Sequence, residues 1–213
     1  MPFSDRGQAG RLLAQRLARL HMPAPVVYGV ARGGVVVAYE VAAALNCPLD
    51  ILVPRKLPSP FNAEVAIGAI AQDGTVLLDR RAIEAFDVDE AYLEAATEAA
   101  RAEIERRLRV YRGGEAGVPV EGKDAIVVDD GIATGFTLQT AIRALRGQSP
   151  ASIVLAVPVA AGSSLERLRP EVDEVICLET PVPFYAVGQA YDDFAQVSDR
   201  TVIELLQKSR RRK

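Results

Sequence analysis

The chain has little of what builds metal centres or disulfide frameworks. Its 213 residues include no tryptophan, a single histidine (His21) and two cysteines, Cys47 and Cys177. Two cysteines and one histidine are too few to form a cysteine-based metal cluster. A chain of this length buries roughly 70% of its unfolded surface, so it does not need disulfide bonds for stability. Each cysteine lies in or beside an apolar run, so we expect two buried thiols in a reducing compartment. His21 precedes Met22-Pro23 and is expected on the surface.

Long apolar runs are also missing. The most apolar region, residues 26–45, is interrupted by Arg32, a glycine pair and Glu40, so it is not expected to span a membrane. The first six residues lack the apolar core of a signal peptide. These absences predict a cytoplasmic protein without a membrane partner.

Neither sign of charge dominates. The 28 acidic and 25 basic residues give a net charge of −3, which offers nucleic acid no electrostatic footprint over the whole molecule. One local excess of positive charge lies at 208–213, a basic tail with the sequence KSRRRK. We expect a solvated, frayed terminus there, and a nucleic-acid-binding arm is the alternative.

Strand and helix patterns alternate along the chain. Apolar runs of strand length lie at 26–30, 49–53, 125–129, 152–157 and 174–178. Helical patterns separate most of them, and the first helix has Asp5 as its candidate cap. This alternation predicts an α/β fold with a central, mainly parallel sheet flanked by helices. Residues 66–71 and 75–78 predict a β-hairpin around Asp73-Gly74, whereas the proline-rich stretch 54–64 predicts a loop.

Residues 87–112 predict one long helix. Asp87-Val88-Asp89-Glu90 resembles a capping box, and Gly113-Gly114 ends the pattern. The apolar residues recur at helical spacing on one face: Leu93, Ala96, Ala100, Ile104, Leu108 and Tyr111. That face must pack against either the body of the domain or another subunit, and the sequence leaves both open. Glu103 and Arg107 form an exposed i,i+4 pair.

The densest chemical pattern lies at 125–137. The apolar run Ala125–Val128 leads to two adjacent carboxylates, Asp129 and Asp130, and then to a Gly- and Thr-rich turn before a helix that begins near Thr137. Helix N-termini offer unpaired N–H groups and a positive dipole end to phosphate, while carboxylates accept hydrogen bonds from hydroxyls. A ribose 5-phosphate would satisfy both. The alternative is a solvated strand end, with Thr137 as an ordinary N-cap.

This stretch resembles the phosphoribosyl-pyrophosphate (PRPP) signature of the type I phosphoribosyltransferases: four apolar residues, two acids and a loop ending Thr-Gly-x-Thr. The resemblance implies the fold of that family, with Asp129 and Asp130 binding the ribose hydroxyls. It also implies that the following loop binds the 5-phosphate, through Ile132, Ala133, Thr134, Gly135, Phe136 and Thr137. Some purine enzymes carry an acid that can act toward the base at the position of Ala133, so that role has no candidate here.

Two further segments match the family in order. Ala31, Arg32 and Gly33 follow the first predicted strand, where small residues let backbone amides form an anion nest. The resemblance implies that they bind pyrophosphate, often through a non-proline cis peptide. Arg55 and Lys56 resemble the basic stretch before the mobile catalytic loop, and Glu64 is a third catalytic candidate. An ordinary solvated loop is the alternative for this second segment.

The resemblance also assigns the remaining segments of one phosphoribosyltransferase domain spanning 1–213. Residues 179–195 correspond to the small hood that selects the acceptor, and Phe184 and Tyr185 are candidates to stack on a planar base. Aromatic residues at such spacing also fill cores, so that alternative stays open. The helix at 87–112 is longer than the family pattern requires and is interpreted as a helical insertion.

The sequence therefore predicts a phosphoribosyltransferase that transfers 5-phosphoribosyl from PRPP to a nitrogen nucleophile, a nucleobase in the first instance, and releases pyrophosphate. Mg²⁺ is expected as a substrate-bound cofactor without direct protein ligands. The expected partners are PRPP, a small-molecule acceptor and a second copy in a homodimer. The rival hypothesis is a non-catalytic regulator that senses PRPP and binds nucleic acid or a partner protein. The acidic net charge speaks against nucleic acid, and the acceptor stays open.

Overall fold

This computed structural model describes residues 2–63 and 65–212, in which strands and helices alternate except between β2 and α4. In chain order the elements are α1 (Arg6–Leu17), β1 (Pro25–Val30), α2 (Gly33–Leu45), β2 (Leu49–Leu52), β3 (Arg55–Pro58), β4 (Ala66–Ile70), β5 (Val76–Leu78), α3 (Arg80–Ala85), α4 (Glu90–Arg112), β6 (Asp124–Val128), α5 (Phe136–Arg146), β7 (Ser152–Val159), α6 (Gly162–Leu168), β8 (Glu174–Glu179) and α7 (Asp199–Arg210). Asp5 caps α1 as predicted, accepting a hydrogen bond from the Gln8 amide at 2.7 Å.

The central sheet has five strands in the order β2-β1-β6-β7-β8, and every neighbouring pair is parallel. The predicted α/β fold is confirmed. The strands β2, β6 and β7 are buried along nearly their whole length, because helices cover both faces of the sheet.

Alternation along each strand divides the core between the two faces. Val27 and Ile126 point to one face, where they pack with α1, α2 and α7. Val26 and Val127 point to the other, where they pack with α5 and α6. The helices after β1 and β6 therefore lie on opposite sides of the sheet.

A second, antiparallel sheet has the order β3-β4-β5. The predicted hairpin of β4 and β5 is confirmed. The prediction of a loop throughout 54–64 is wrong in part, because Arg55–Pro58 pairs with β4 as an edge strand. Proline is tolerated at such an edge, and burial of Leu57 provides the packing that local periodicity did not reveal.

The long helix α4 packs on the body of the domain, which decides the alternative that the sequence left open. Ala100, Ile104 and Tyr111 are buried in the main core with residues of α2 and α7. The N-cap is Asp89, which accepts a hydrogen bond from the Tyr92 amide, and not Asp87 as the capping-box pattern indicated. Helix α3 was not predicted, since six residues are too short to show a period.

The basic tail is docked on the domain, so the prediction of a frayed terminus is wrong as far as Arg212. Helix α7 continues to Arg210, which donates a hydrogen bond to the Arg112 carbonyl at 2.8 Å. The Arg212 guanidinium lies 4.8 Å from the centre of the Tyr39 ring. Among the described residues, no helix combines the length and the hydropathy needed to cross a membrane.

Both cysteines are half-buried free thiols, less buried than the sequence predicted. Burial raises the pKa of each thiol to about 11. We therefore expect alkylation by iodoacetamide at pH 8 to be on the order of a hundredfold slower than for an ordinary exposed thiol, because only the thiolate reacts. The rate should keep rising up to about pH 11. Mass spectrometry of timed samples measures it, and rapid labelling of Cys47 or Cys177 at pH 8 would contradict the expectation.

Candidate functional site

The candidate site lies at the carboxyl edge of the parallel sheet, between β1 and β6. These strands are neighbours, with Gly29 paired to Val128, but the chain leaves them toward helices on opposite faces. Such a divergence opens a crevice where ligands bind in doubly wound sheets. The segments that follow the two strands, 31–34 and 129–137, are the predicted pyrophosphate loop and the predicted PRPP signature.

The two segments touch at the glycine pair. A Cβ atom on Gly33 would overlap the Asp130 carboxylate, and one on Gly34 would come within 2.8 Å of the Asp129 Cα atom. Larger residues at either position would separate the loop from the carboxylates. The structure thus brings Asp129 and Asp130 against Gly33 and Gly34 of the predicted pyrophosphate loop, next to Ala31 and Arg32 in the chain.

Asp129 directly follows the buried strand β6. Burial raises the pKa of its carboxyl well above the ordinary value, and the adjacent charge of Asp130 raises it further. Its Oδ1 accepts a hydrogen bond from the Asp130 amide at 2.8 Å. Asp129 is thereby fixed at the end of β6, beside Asp130.

Asp130 is held by Arg6 from the first turn of α1. The Arg6 Nε donates to Asp130 Oδ2 at 2.7 Å, and both side chains are largely buried. The guanidinium also stacks 3.8 Å from the centre of the Phe194 ring and donates to the Ala195 carbonyl. One oxygen of Asp130 is therefore fixed, and Oδ1 can accept from a ligand hydroxyl.

The loop 131–137 presents an open helix terminus. Ile132 is buried and fixed in the sheet, where its amide donates to the Val159 carbonyl. Helix α5 begins at Phe136 behind Gly135, which adopts a left-handed φ of 69°. No described side chain caps this terminus, and its first turn carries no acid. The N-cap is thus not Thr137, and the amides of the first turn can bind an anion.

The predicted pyrophosphate loop continues directly into α2. Its Ala31–Arg32 peptide is cis, the form that the family resemblance implies for this position. The Arg32 side chain reaches Asp199 at the start of α7, with 3.5 Å between Nη1 and Oδ1. The same Asp199 oxygen accepts a 2.8 Å hydrogen bond from the Tyr111 hydroxyl of α4.

The three catalytic candidates do not share one position. Arg55 lies on β3 with its Nη1 3.5 Å from Glu103 Oε1 of α4. Lys56 is exposed and, as the next residue of the same strand, points to the opposite face. Glu64 lies outside the described residues.

The segment 179–195 begins at the last residue of β8 and contacts the candidate site through Tyr191. Phe184 packs into a small cluster with Phe3 and Tyr191, whereas Tyr185 is 83% exposed. Burial raises the pKa of the Tyr191 phenol, which donates to the Asp130 carbonyl at 2.6 Å. Of the two predicted stacking residues, Tyr185 is thus the one available to a ligand.

Comparison with known proteins decides the family. A family model described as a phosphoribosyl transferase domain matches residues 7–193, which include both 31–34 and 129–137. The chain belongs to the phosphoribosyl transferase family. A Mycobacterium tuberculosis protein, named as a proposed phosphoribosyl transferase, is 45% identical over 209 residues. That alignment covers 98% of this chain but 47% of the mycobacterial protein, so the chain spans about half the length of the curated relatives it matches.

Solved structures agree on the fold. A crystal structure of a Thermus thermophilus protein is 40% identical, covers 98% of this chain and 99% of its own, and has a TM-score of 0.82. A hypothetical protein from Neisseria gonorrhoeae with bound ppGpp has 12% identity and a TM-score of 0.54, with 98% of both chains covered. The second likeness concerns the fold alone. The family assignment and the type I phosphoribosyltransferase fold predicted from the sequence are both confirmed.

Several residues of the site were not predicted. Arg6 is separated from Asp130 by 124 positions, so no local pattern connects them. Asp199 of α7 pairs with Arg32, and Tyr111 of α4 donates to the same Asp199 oxygen. Only Asp5, as the N-cap that places Arg6 at the start of α1, left a signal in the sequence.

Proposed function

We propose that the protein is a phosphoribosyltransferase that transfers the 5-phosphoribosyl group of PRPP to a nitrogen nucleophile and releases pyrophosphate. One observation carries the proposal: the carboxylate pair lies between an uncapped helix terminus and the 31–34 loop within a single crevice. PRPP has the matching order of groups, with a diol between a 5-phosphate and a pyrophosphate.

The chain's own groups would bind and orient the donor. Asp129 and Asp130 would accept hydrogen bonds from the ribose 2- and 3-hydroxyls, with Arg6 keeping Asp130 in place. The first-turn amides of α5 would bind the 5-phosphate. Backbone amides of 31–34, and Arg32, would bind the pyrophosphate. Displacement at ribose C1 then requires the nucleophile on the opposite face, and the protein contributes positioning and electrostatic stabilisation.

Mg²⁺ fits this site as part of the substrate. Asp130 is already paired with Arg6, and Asp129 holds its proton more tightly than an ordinary acid, so the protein offers few free carboxylate oxygens. A hard cation that retains waters prefers phosphate and hydroxyl oxygens of the ligand. When bound, it would offset the negative charge of the departing pyrophosphate.

The acceptor would enter beneath residues 179–195. Tyr185 is exposed there and can stack on a planar base, while Ala133 provides no acid toward the base. Selection would then depend on backbone groups of this segment and on shape. These features favour an aromatic nitrogen nucleophile, with a nucleobase as the first choice.

Pyrophosphate release tests the proposal. Mg-PRPP is incubated with separate purines, pyrimidines and other nitrogen nucleophiles, and released pyrophosphate is measured by a coupled phosphate assay. We expect one class of nucleophile to support turnover well above hydrolysis without acceptor. The double variant Asp129→Asn with Asp130→Asn is the inactive control. Intact Mg-PRPP binding with no turnover across a broad panel would instead favour the PRPP-sensing regulator.

A further inference from the structure

One glutamate of α4 is surrounded by three guanidinium groups. Arg106 binds Glu103 through two hydrogen bonds of 2.7 and 2.9 Å, and Arg107 donates its Nε to the same carboxylate at 2.7 Å. Arg55 of β3 approaches it at 3.5 Å. These hydrogen bonds, from Arg106 first and Arg107 second, lower the pKa of Glu103 to about 2, so it is ionised at neutral pH. The cluster keeps a surplus of positive charge.

The helix that carries the cluster is linked to the 31–34 loop. Tyr111 lies one helical turn beyond Arg107 and donates to Asp199, which pairs with Arg32. Burial is the main cause that raises the pKa of Tyr111 to about 12, and the charges of Arg107 and Arg32 act against it. Tyr111 of α4 and Arg32 of the loop therefore share one Asp199 oxygen, at 2.8 and 3.5 Å.

The charges of this network do not cancel. Four guanidinium groups, on Arg32, Arg55, Arg106 and Arg107, face two carboxylates, on Glu103 and Asp199, which leaves two positive charges. Each guanidinium has five donors and suits phosphate oxygens. The Arg106 side chain is 56% exposed and the Arg107 side chain 29%, so both retain access to solvent.

Anchoring of α4 does not require this surplus. The helix is already held by its buried apolar face and by Arg112, which binds the buried Asp50 carboxylate through two hydrogen bonds. A network that served only to attach the helix would need one cation for each anion. The surplus charge belongs to arginine side chains that are 29–56% exposed.

We propose that Arg106 and Arg107 of α4, together with Arg55, form a binding site for the pyrophosphate end of the donor, adjoining the 31–34 loop. This inference rests on the proposed function and adds Arg106 and Arg107 of α4 to Arg55, which the sequence already indicated as a candidate. Helix α4 would then take part in recognition of the leaving group. Glu103 holds the guanidinium groups in place and partly neutralises them in the absence of the ligand.

Titration calorimetry separates the two ends of the ligand. Arg106→Gln with Arg107→Gln is expected to weaken binding of Mg-pyrophosphate by about tenfold or more, since charge-assisted hydrogen bonds are lost. Ribose 5-phosphate affinity should stay unchanged. Arg109→Gln, an exposed arginine of the same helix, is the matched control and should bind both probes like the parent.

Glu103→Gln gives a second readout of opposite sign. Removing this carboxylate raises the surplus from two positive charges to three, so pyrophosphate should bind several-fold more tightly, and more so at low salt. If the cluster served only to anchor α4, Glu103→Gln would not increase the affinity for pyrophosphate. The inference is overturned if folded Arg106→Gln/Arg107→Gln protein binds pyrophosphate like the parent, or if Glu103→Gln does not tighten binding. If either result is found but ribose 5-phosphate still binds, the proposed function stands and only the role of Arg106 and Arg107 is rejected.

Discussion

Replacing Asp129 and Asp130 together by asparagine should weaken Mg-PRPP binding by roughly a thousandfold, since each carboxylate hydrogen bond to a hydroxyl contributes about 1.5–3 kcal/mol. Asparagine has nearly the same shape, so the backbone of the crevice is expected to keep its arrangement. The main change is the loss of two acceptors for the ribose diol. Calorimetry with Mg-PRPP measures the affinity, and circular dichroism verifies the fold.

The two single variants should differ in stability although both lose affinity. The pKa of Asp129 is raised in the folded protein, so folding retains a proton that the unfolded chain releases above about pH 4. The resulting loss in the free energy of unfolding is absent below about pH 4. It grows as the pH rises toward the pKa of Asp129 in the folded protein. Asp129→Asn removes it and should raise the unfolding temperature at pH 7, by roughly 2–4 °C for each kcal/mol.

Asp130→Asn should act in the opposite direction. Its carboxylate pairs with the largely buried Arg6, and loss of that charge costs about 1.5 kcal/mol or more. Thermal unfolding of both single variants at pH 7 and pH 4.5 measures the contrast. A double variant that binds Mg-PRPP like the parent would refute the site, and destabilisation by Asp129→Asn at pH 7 would refute the account of its burial.

Gly33→Ala should lose Mg-PRPP affinity by roughly a hundredfold and destabilise the protein by about 1–3 kcal/mol, the usual cost of overpacking. An added Cβ would overlap Asp130 Oδ2 and lie 3.0 Å from Arg6 Nε. The carboxylate cannot simply rotate away, because Arg6 holds it from α1 and is itself stacked on Phe194. The new methyl group should therefore push the loop and the acid apart.

Gly162→Ala provides the matched control. Gly162 is the first residue of α6, and an added Cβ there meets nothing within 4 Å. Its affinity and unfolding temperature should equal those of the parent or rise slightly, since alanine favours helix. Calorimetry and thermal unfolding of both variants decide the case. If Gly33→Ala binds Mg-PRPP as tightly as Gly162→Ala, the close contact between loop and carboxylate is not required for the site.

Local patterns were sufficient for the elements that carry the chemistry. The apolar run before Asp129, the glycine pair after Arg32 and the glycine-threonine turn before α5 all have short-range causes in strand burial, turn geometry and helix initiation. The parallel sheet followed from the alternation of strands and helices. Two elements were not predicted. The strand Arg55–Pro58 depends on pairing with β4, and α3 is shorter than two helical turns.

The sequence by itself determined the family, the parallel sheet and the two carboxylates at the end of β6, because each depends on neighbours within a few positions. Only the tertiary structure decided that Arg6 holds Asp130, that α4 packs on its own domain, and that Arg55 of β3 reaches Glu103 of α4. Those contacts join side chains far apart in the chain, and their geometry depends on how the helices pack against the sheet.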